Sequence, residues 1–160
     1  AFNNMNEDVF EEFNLKDLVS ESAEYFNDIS ITKNIVIKSI LDDCFIKMDK
    51  TKTQKLVNNL ISNAIKFSKE NKVSICLGIE DEKNRYKISI KDSGVGIDRS
   101  KIDLMLKSFR QFEEGDTRKY NGIGLGLTVA EKILDYYGEK IFINSNLNKG
   151  TEVYFYLKKR

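Results

Sequence analysis

Residues 54–68, QKLVNNLISNAIKFS, carry two chemistries on one helix. At 100° per residue, Val57, Leu60, Ile61, Ala64 and Ile65 share one arc and are expected to face a sheet. Asn59, Asn63 and Lys66 fall at i, i+4 and i+7 on the opposite stripe. Asparagine is a middling helix former, so stacked amides need a reason. One reason is a ligand: Asn63 offers a neutral oxygen to Mg2+, and Lys66 reaches phosphate as a mobile point charge. The other is a solvated polar face, and the helix alone does not choose between them.

Two glycine-bearing elements follow downstream. Lys91-Asp92-Ser93-Gly94-Val95-Gly96-Ile97 puts an acid at a strand end, and its glycines let the backbone turn tightly and approach a flat ligand. A carboxylate only accepts hydrogen bonds, so it suits the exocyclic amine of adenine and disfavours the guanine carbonyl. Gly122-Ile123-Gly124-Leu125-Gly126-Leu127 opens a helix, where free backbone N–H groups and a positive helix end suit phosphate. It does not follow an early strand in a βαβ unit, so a dinucleotide-binding reading fits poorly. Singly, each element also reads as an ordinary turn or helix start. A polar helix stripe, an acidic glycine turn and a glycine-rich helix start, in that order, point together to a nucleotide site.

Outward from these elements the chain alternates strands and helices. VFEEFNL (residues 9–15) reads as an edge strand, and Asn14 or Asp17 caps a helix over Leu15, Leu18, Val19, Ser22 and Phe26. Strands are expected at about 34–40 and 44–48, and Asp49 or Thr51 caps the helix running to Phe67 or Ser68. VSICLGIE alternates with period 2 to place Val73, Ile75, Leu77 and Ile79 on one face, and DEKN turns into the strand RYKISIKD. A short helix is expected over 98–106, then an irregular polar stretch over 107–123. GLGLTVAEKILDYYG is an amphipathic helix with Leu127, Ala130, Ile133, Leu134 and Tyr137 inward and Gly138 as its stop. KIFINS and TEVYFYL close the fold as strands. The pattern predicts an α/β (α+β) two-layer sandwich, a mixed sheet of about five main strands covered on one face by about three helices.

Composition narrows the function. The 160 residues fit one domain, and no apolar run approaches the roughly 20 residues of a membrane span. The net charge of +1, from 26 basic and 25 acidic residues, supplies no general attraction to nucleic acid. With no histidine, the chain contains no catalytic triad or imidazole shuttle. Cys44 and Cys76 sit in apolar stretches and are expected as buried free thiols in a reducing compartment. Ala rather than Met at position 1 suggests a fragment.

Taken together, the sequence resembles the GHKL ATPases, and within them the sensor histidine kinases. NNLISNAIKFS is similar to their N box, DSGVGI to their G1 box, GIGLGL to their G2 box and Gly150-Thr151 to their last glycine motif. SFRQFEEGDTRKYNGIGLGL resembles the F box and lid of the hybrid type. The likeness runs from about Leu15 to Leu157. It implies the Bergerat ATP-binding fold over residues 15–160, with residues 1–14 connecting to a dimerisation domain absent from this chain.

The resemblance also implies roles. Asn63 would coordinate Mg2+ bridging the phosphates, Lys66 would contact phosphate, and Phe67 would line the adenine pocket. Asp92 would bind the adenine amine with Thr151 nearby. Gly94, Gly96, Ile97, Gly122, Gly124, Leu125, Gly126 and Leu127 would shape the pocket and lid. Residues 107–123 would form that lid, with Phe109 as its apolar anchor and Arg118 contacting the terminal phosphates. Three departures stand out: Leu106 replaces an F-box aromatic, Asn121 replaces one of a glycine pair, and Asn59 occupies the place of a glutamate base. Hydrolytic relatives of the gyrase, chaperone and mismatch-repair types usually carry that glutamate. Asparagine cannot take a proton from water, so the resemblance favours phosphoryl transfer to a protein.

The expected function is therefore the ATP- and Mg2+-binding catalytic domain of a cytoplasmic two-component kinase, its parent free to be membrane-anchored. It would present phosphate to a histidine on the dimerisation domain of the same protein, which then passes it to a response regulator or receiver domain. Nucleic acid and direct membrane contact are not expected, and the isolated domain is expected to be monomeric. A non-catalytic nucleotide-binding regulatory module and another GHKL protein kinase or ATPase are the competing readings.

Overall fold

The computed structural model describes residues 8–67, 74–93, 125–145 and 150–159. Strand β1 (Phe10–Asn14) leads directly into helix α1 (Leu15–Thr32), then β2 (Val36–Leu41) and β3 (Phe45–Asp49). Helix α2 (Lys50–Phe67) follows, then the hairpin of β4 (Ser74–Asp81) and β5 (Arg85–Asp92). Helix α3 (Leu125–Tyr136), β6 (Ile141–Ser145) and β7 (Thr151–Lys158) complete the described chain.

The helix boundaries follow from side-chain chemistry. Asn14 is the cap of α1: its Oδ1 accepts from Lys16 N at 3.1 Å and also from Cys44 N at 2.9 Å. Its Nδ2 donates to Asp43 Oδ1 at 3.0 Å, so one amide joins the start of α1 to the approach to β3. Asp49 caps α2, accepting from Lys52 N at 2.9 Å. Gly138 ends α3 with φ +75°, a left-handed conformation that glycine adopts without a Cβ penalty. The amides of Gly138 and Glu139 then return to Asp135 O and Leu134 O.

The main sheet has the order β2-β4-β5-β7-β6; β2 pairs parallel with β4 and every other pairing is antiparallel. Ile75, Leu77 and Ile79 of β4, Tyr86, Ile88 and Ile90 of β5 and Phe155 and Leu157 of β7 turn inward and are buried. They meet Leu15, Leu18 and Phe26 of α1, Leu56, Leu60 and Ile61 of α2, and Leu127, Ala130, Ile133 and Leu134 of α3. The result is the two-layer sandwich the patterning predicts, with three helices among the described residues on one side of a five-stranded mixed sheet.

Two details differ from the sequence reading. The first strand does not lie along an edge of the main sheet; β1 pairs antiparallel with β3, from Phe10↔Asp49 to Asn14↔Phe45, in a separate two-stranded ribbon. The ribbon is tied to the helical layer where Asp49 N donates to the Tyr137 hydroxyl at 3.0 Å. The two free thiols also differ: Cys44 is fully buried, whereas Cys76 is half-buried. Alternation explains this, because the flanking Ile75 and Leu77 take the inward positions of β4. Val73 and the expected helix over 98–106 lie outside the described residues.

Burial pushes the Cys44 thiol up to about 12, with the nearby Asp81 charge adding to the shift. A raised folded-state value means that the protonated thiol supports the fold fully below its ordinary value of 9.0. That support is lost as pH rises from there through about 12. The urea midpoint of the wild type is therefore expected to fall faster than that of Cys44→Ala across this alkaline range, and parallel curves would contradict the assignment. Asn14→Ala is expected to cost about 2–3 kcal/mol in urea denaturation, combining a lost cap with an unpaired amide at Cys44. Asn14→Ser, which retains an accepting oxygen without setting a second carboxylate against Asp43, should recover part of that loss.

Candidate functional site

The β5–β7 register sets Asp92 directly opposite Thr151, and the β6–β7 register sets Thr151 opposite Ser145. All three occupy inward positions, so a row of carboxylate, hydroxyl and hydroxyl crosses three strands at one end of the sheet. Asp92 is 7% exposed, Thr151 8% and Ser145 3%. Alternation along β5 would place an apolar residue at position 92, after Tyr86, Ile88 and Ile90, and a buried carboxylate stands there instead. Just beyond it, Ser93 N donates to Ser74 O at 3.0 Å and Ser93 Oγ accepts from Ser74 N at 2.9 Å. These bonds pin the end of β5 to the start of β4.

Gly150 is the close neighbour of this row. Its φ is +85°, and a Cβ built on it would lie 2.0 Å from the Asp92 carbonyl oxygen. Only glycine fits that approach. Ser145 Oγ donates to Gly150 O at 3.0 Å and lies 2.7 Å from Thr151 Oγ1.

Helix α2 runs over the sheet, packing on β5 and alongside α3. Its polar stripe varies in burial: Asn59 is half-buried, Asn63 is buried at 8% exposure and Lys66 is exposed. Among the described residues, Asn59 Nδ2 is a buried donor with no hydrogen-bond acceptor, and the neighbouring Asn58 Oδ1 is a buried acceptor without a donor. A buried donor of this kind favours an anionic oxygen. Phe67 is the last residue of α2. Leu125, Gly126 and Leu127 open α3, and Leu127 and Thr128 are buried in its first turn.

The helix directions bring these parts to the same end. Tyr137 and Gly138, just after α3, share a groove with Leu157, Lys158 and Lys159 at the far end of β7. The N-terminus of α3 therefore points back toward Thr151, and its leading N–H groups carry a partial positive charge there. Helix α2 begins beside the Asp49–Tyr137 hydrogen bond and so delivers Asn63 and Lys66 to that same end. What converges is a buried acceptor pair able to read a flat polar edge, a buried amide, and a mobile cation.

The far-end groove, about 870 Å3, runs between the β1–β3 ribbon and the C-terminus of α3, lined by Phe13, Phe45, Met48, Tyr137 and Leu157 among others. It contains none of the stacked amides and lies at the opposite end of β7 from Asp92 and Thr151. Among the described residues no group of three or more His, Cys, Asp or Glu is placed to hold a metal ion, and no helix is long and apolar enough to cross a membrane.

Asn59, Asn63, Lys66, Asp92, Leu127 and Thr151 thus have their places in the fold, and the backbones of Phe67, Leu125 and Gly126 lie where the sequence expects them. Gly94, Gly96, Ile97, Phe109, Arg118, Gly122 and Gly124, with the stretch 107–123, lie outside the described residues. Ser145 is the residue that sequence reasoning missed. Its signal was a hydroxyl at an inward position of β6, in line with Ile141 and Ile143.

Comparison with known proteins gives the family. The family described as "Histidine kinase-, DNA gyrase B-, and HSP90-like ATPase" (HATPase_c) matches residues 48–160. The autoinducer 2 sensor kinase/phosphatase LuxQ of Vibrio vulnificus is 29% identical over 150 residues, 89% of this chain and 18% of LuxQ. The sensor histidine kinase WalK of Bacillus subtilis is 33% identical over 116 residues, 72% of this chain and 19% of WalK. The chain thus spans about a fifth of the length of these relatives. Among solved structures, the catalytic domain of histidine kinase ThkA superposes with a TM-score of 0.78 at 30% identity, covering 94% of this chain and 96% of that one. ThkA has also been solved in complex with the response regulator protein TrrA.

Gly150→Ala tests the row of side chains. A left-handed non-glycine residue costs about 1–2 kcal/mol, and displacing packed backbone about 1–3 kcal/mol more. Urea denaturation should show a loss of that combined order, and native-like stability in the variant would mean that Gly150 does not crowd Asp92.

Proposed function

The chain belongs to the HATPase_c family and, within it, to the catalytic domains of sensor histidine kinases, and we propose that it presents the γ-phosphoryl group of ATP to a histidine outside its own sequence. The observation that carries this reading is the buried Asp92–Thr151 pair facing the same end as Asn63 and Lys66. Asp92 accepts from the adenine amine, with Thr151 beside it. Phe67, Gly94, Gly96, Ile97, Leu125, Gly126 and Leu127 frame the base and the phosphates. Asn59 donates its unpaired amide protons toward phosphate oxygen, and Lys66 adds a mobile positive charge.

Asn63 fits Mg2+ by its chemistry. Mg2+ takes oxygen ligands and is usually held by one or two protein groups together with substrate phosphates, and no all-protein cage is found among the described residues. When bound, the ion neutralises charge on the phosphates. The chain's own part is to position the nucleotide, because phosphoryl transfer is catalysed mainly by positioning and electrostatic stabilisation. Arg118 and Phe109, with Gly122 and Gly124, serve the lid over the phosphates.

This chain contains no histidine, so the acceptor histidine lies outside it, and its assigned place is the dimerisation domain of the same protein. Asn59 in place of an acidic base leaves water without a group to activate it, which keeps the phosphoryl group for the protein acceptor. Residues 1–14 connect to that domain, and residues 15–160 form the catalytic unit. A response regulator or receiver domain takes the phosphoryl group next, a reading supported by the ThkA–TrrA complex. The domain works in the cytoplasm, without nucleic acid or direct membrane contact, and is monomeric when isolated; its parent is free to be membrane-anchored.

Calorimetry with Mg2+ and ATP should show Asp92→Asn binding about 10- to 100-fold more weakly, the value of a buried hydrogen bond to a charged acceptor. Wild-type affinity in that variant would remove Asp92 from the site. With radiolabelled ATP, label should appear on an added histidine-bearing acceptor domain and not on this chain alone. Steady phosphate release without an acceptor would instead favour an ATPase.

A further inference from the structure

We infer that the open face of the main sheet is a docking surface for an amphipathic helix whose apolar stripe is flanked by acidic residues. The described helices cover the opposite face, so this surface is separate from Asp92 and Asn63 and does not depend on the nucleotide reading. Antiparallel sheets commonly leave one face to water, and that face is ordinarily polar. Here it carries large apolar side chains: Ile40 is 73% exposed, Val36 55% and Phe142 40%.

The strand registers arrange the face in rows. One row runs Ile40, Gly78, Ser89, Tyr154 and Phe142 across β2, β4, β5, β7 and β6. Its ends are large and apolar or aromatic, and its middle is low. Neighbouring strands stand about 4.8 Å apart, so the strands of Ile40 and Tyr154 are about 14 Å apart. An α-helix with its side chains is about 10–12 Å across and fits between them. Gly78 marks the floor. A glycine inside a strand weakens it and signals a bulge, a bend or the close approach of another group. The pairings of β4 run through Gly78 without a bulge on either side, and its φ is not positive, which leaves close approach. Within the chain, the nearest atom to a Cβ built there is Ser89 Oγ at 2.7 Å, the end of a side chain free to rotate, so the fold itself does not demand glycine.

Charge gives the chemistry of the partner. In the adjacent row Lys38 and Lys91 stand on either side of Cys76, and neither makes an ion pair among the described residues. Arg85 is held by Glu82 at 2.9 Å and Lys87 by Glu152 at 3.5 Å, so the unbalanced positive charge next to the floor is that of Lys38 and Lys91. Two cations on strands about 10 Å apart, one on each side of a low floor, match acidic residues on the two flanks of one helix. The aromatic side of the face disfavours nucleic acid. Lys87 Nζ lies 4.6 Å from the centre of the Tyr154 ring, the Arg85 guanidinium 3.6 Å from that of Tyr156, and Phe142 stacks on Tyr154 at 5.3 Å. Those ring faces are already covered, whereas single strands need faces free for their bases. A flat bilayer does not reach a floor that lies between two raised rows.

Fluorescence anisotropy of the whole chain tests this with a labelled helical peptide of about five turns, leucine along one stripe and glutamate on both flanks. A twin with lysine in place of glutamate, a phosphatidylserine–phosphatidylcholine vesicle and a single-stranded oligonucleotide are the comparisons. The glutamate peptide should bind saturably and more weakly as salt rises, and the lysine twin should not bind. Lys38→Glu should weaken the glutamate peptide about tenfold, and Ile40→Asn should weaken it to a similar degree. Gly78→Val raises the floor at a strand position that favours valine, so binding should fall about tenfold or more while the urea midpoint does not fall. Affinity for ATP should stay at the wild-type value in all three variants. Peptide-induced amide shifts should centre on Cys76, Gly78 and Ser89. No saturable binding of the glutamate peptide, equal binding of its lysine twin, or tighter binding of the vesicle or oligonucleotide overturns the proposal. Wild-type peptide affinity in Lys38→Glu and Ile40→Asn does so too, and these two variants decide the matter should Gly78→Val fail to fold.

Discussion

The backbone of Gly150 passes so close to Asp92 that a single methyl group there would stand 2.0 Å from the Asp92 carbonyl oxygen. The pairing of β5 with β7 from Arg85↔Lys158 to Asp92↔Thr151 depends on that approach at its last rung. Two consequences meet at this rung. The strands stay in register to the end of the sheet, so the apolar positions behind Asp92 remain inward and the core stays closed. The same register delivers a carboxylate and a hydroxyl side by side, buried and facing the helices.

Helix α2 couples this rung to the rest of the fold. Its apolar arc, with Leu56, Val57, Leu60, Ile61 and Ile65 all buried, holds it on the sheet and against α3. That packing fixes where the polar residues of the same helix stand. Asn63 is buried because its neighbours on either side are core residues, Leu60, Ile61, Ala64 and Ile65 among them. The two ends of the domain divide the work. At the far end Asp49, Tyr137 and Gly138 close the helical layer and join it to the β1–β3 ribbon. At the near end β5 closes on Asp92, β6 on Ser145 and α2 on Lys66 and Phe67, and polar groups stand there without disturbing the core.

Much of this was legible in the sequence because it rests on periodicity and on residues with one strong local habit. The arc and stripe of α2 follow from 100° per residue, and the bounds of β5 from the alternation of RYKISIKD. Asn14, Asp49 and Gly138 mark helix ends by chemistry that acts within a few residues. What periodicity does not encode is which strands meet. The sequence shows β1 as a strand but not its choice of β3 over the main sheet, because that pairing spans a whole helix. Ser145 is not legible for a similar reason: its neighbours lie across the β6–β7 pair. Cys76 was misjudged because an apolar stretch does not say which of its residues turn inward, whereas the alternation around it does.

The proposed nucleotide site is the polar end of the sandwich, between the Asn63 face of α2 and the Asp92–Thr151–Ser145 row, and the far-end groove takes no part in the chemistry. The most direct test is a nuclear magnetic resonance titration of the isotope-labelled chain with Mg2+ and a non-hydrolysable ATP analogue. Saturable shifts in the side-chain amides of Asn59 and Asn63 and the backbone amides of Asp92, Ser145 and Thr151 are the predicted result, with Phe45, Met48 and Tyr137 unmoved. Shifts concentrated on Phe45, Met48 and Tyr137, with the Asp92 row silent, would contradict it.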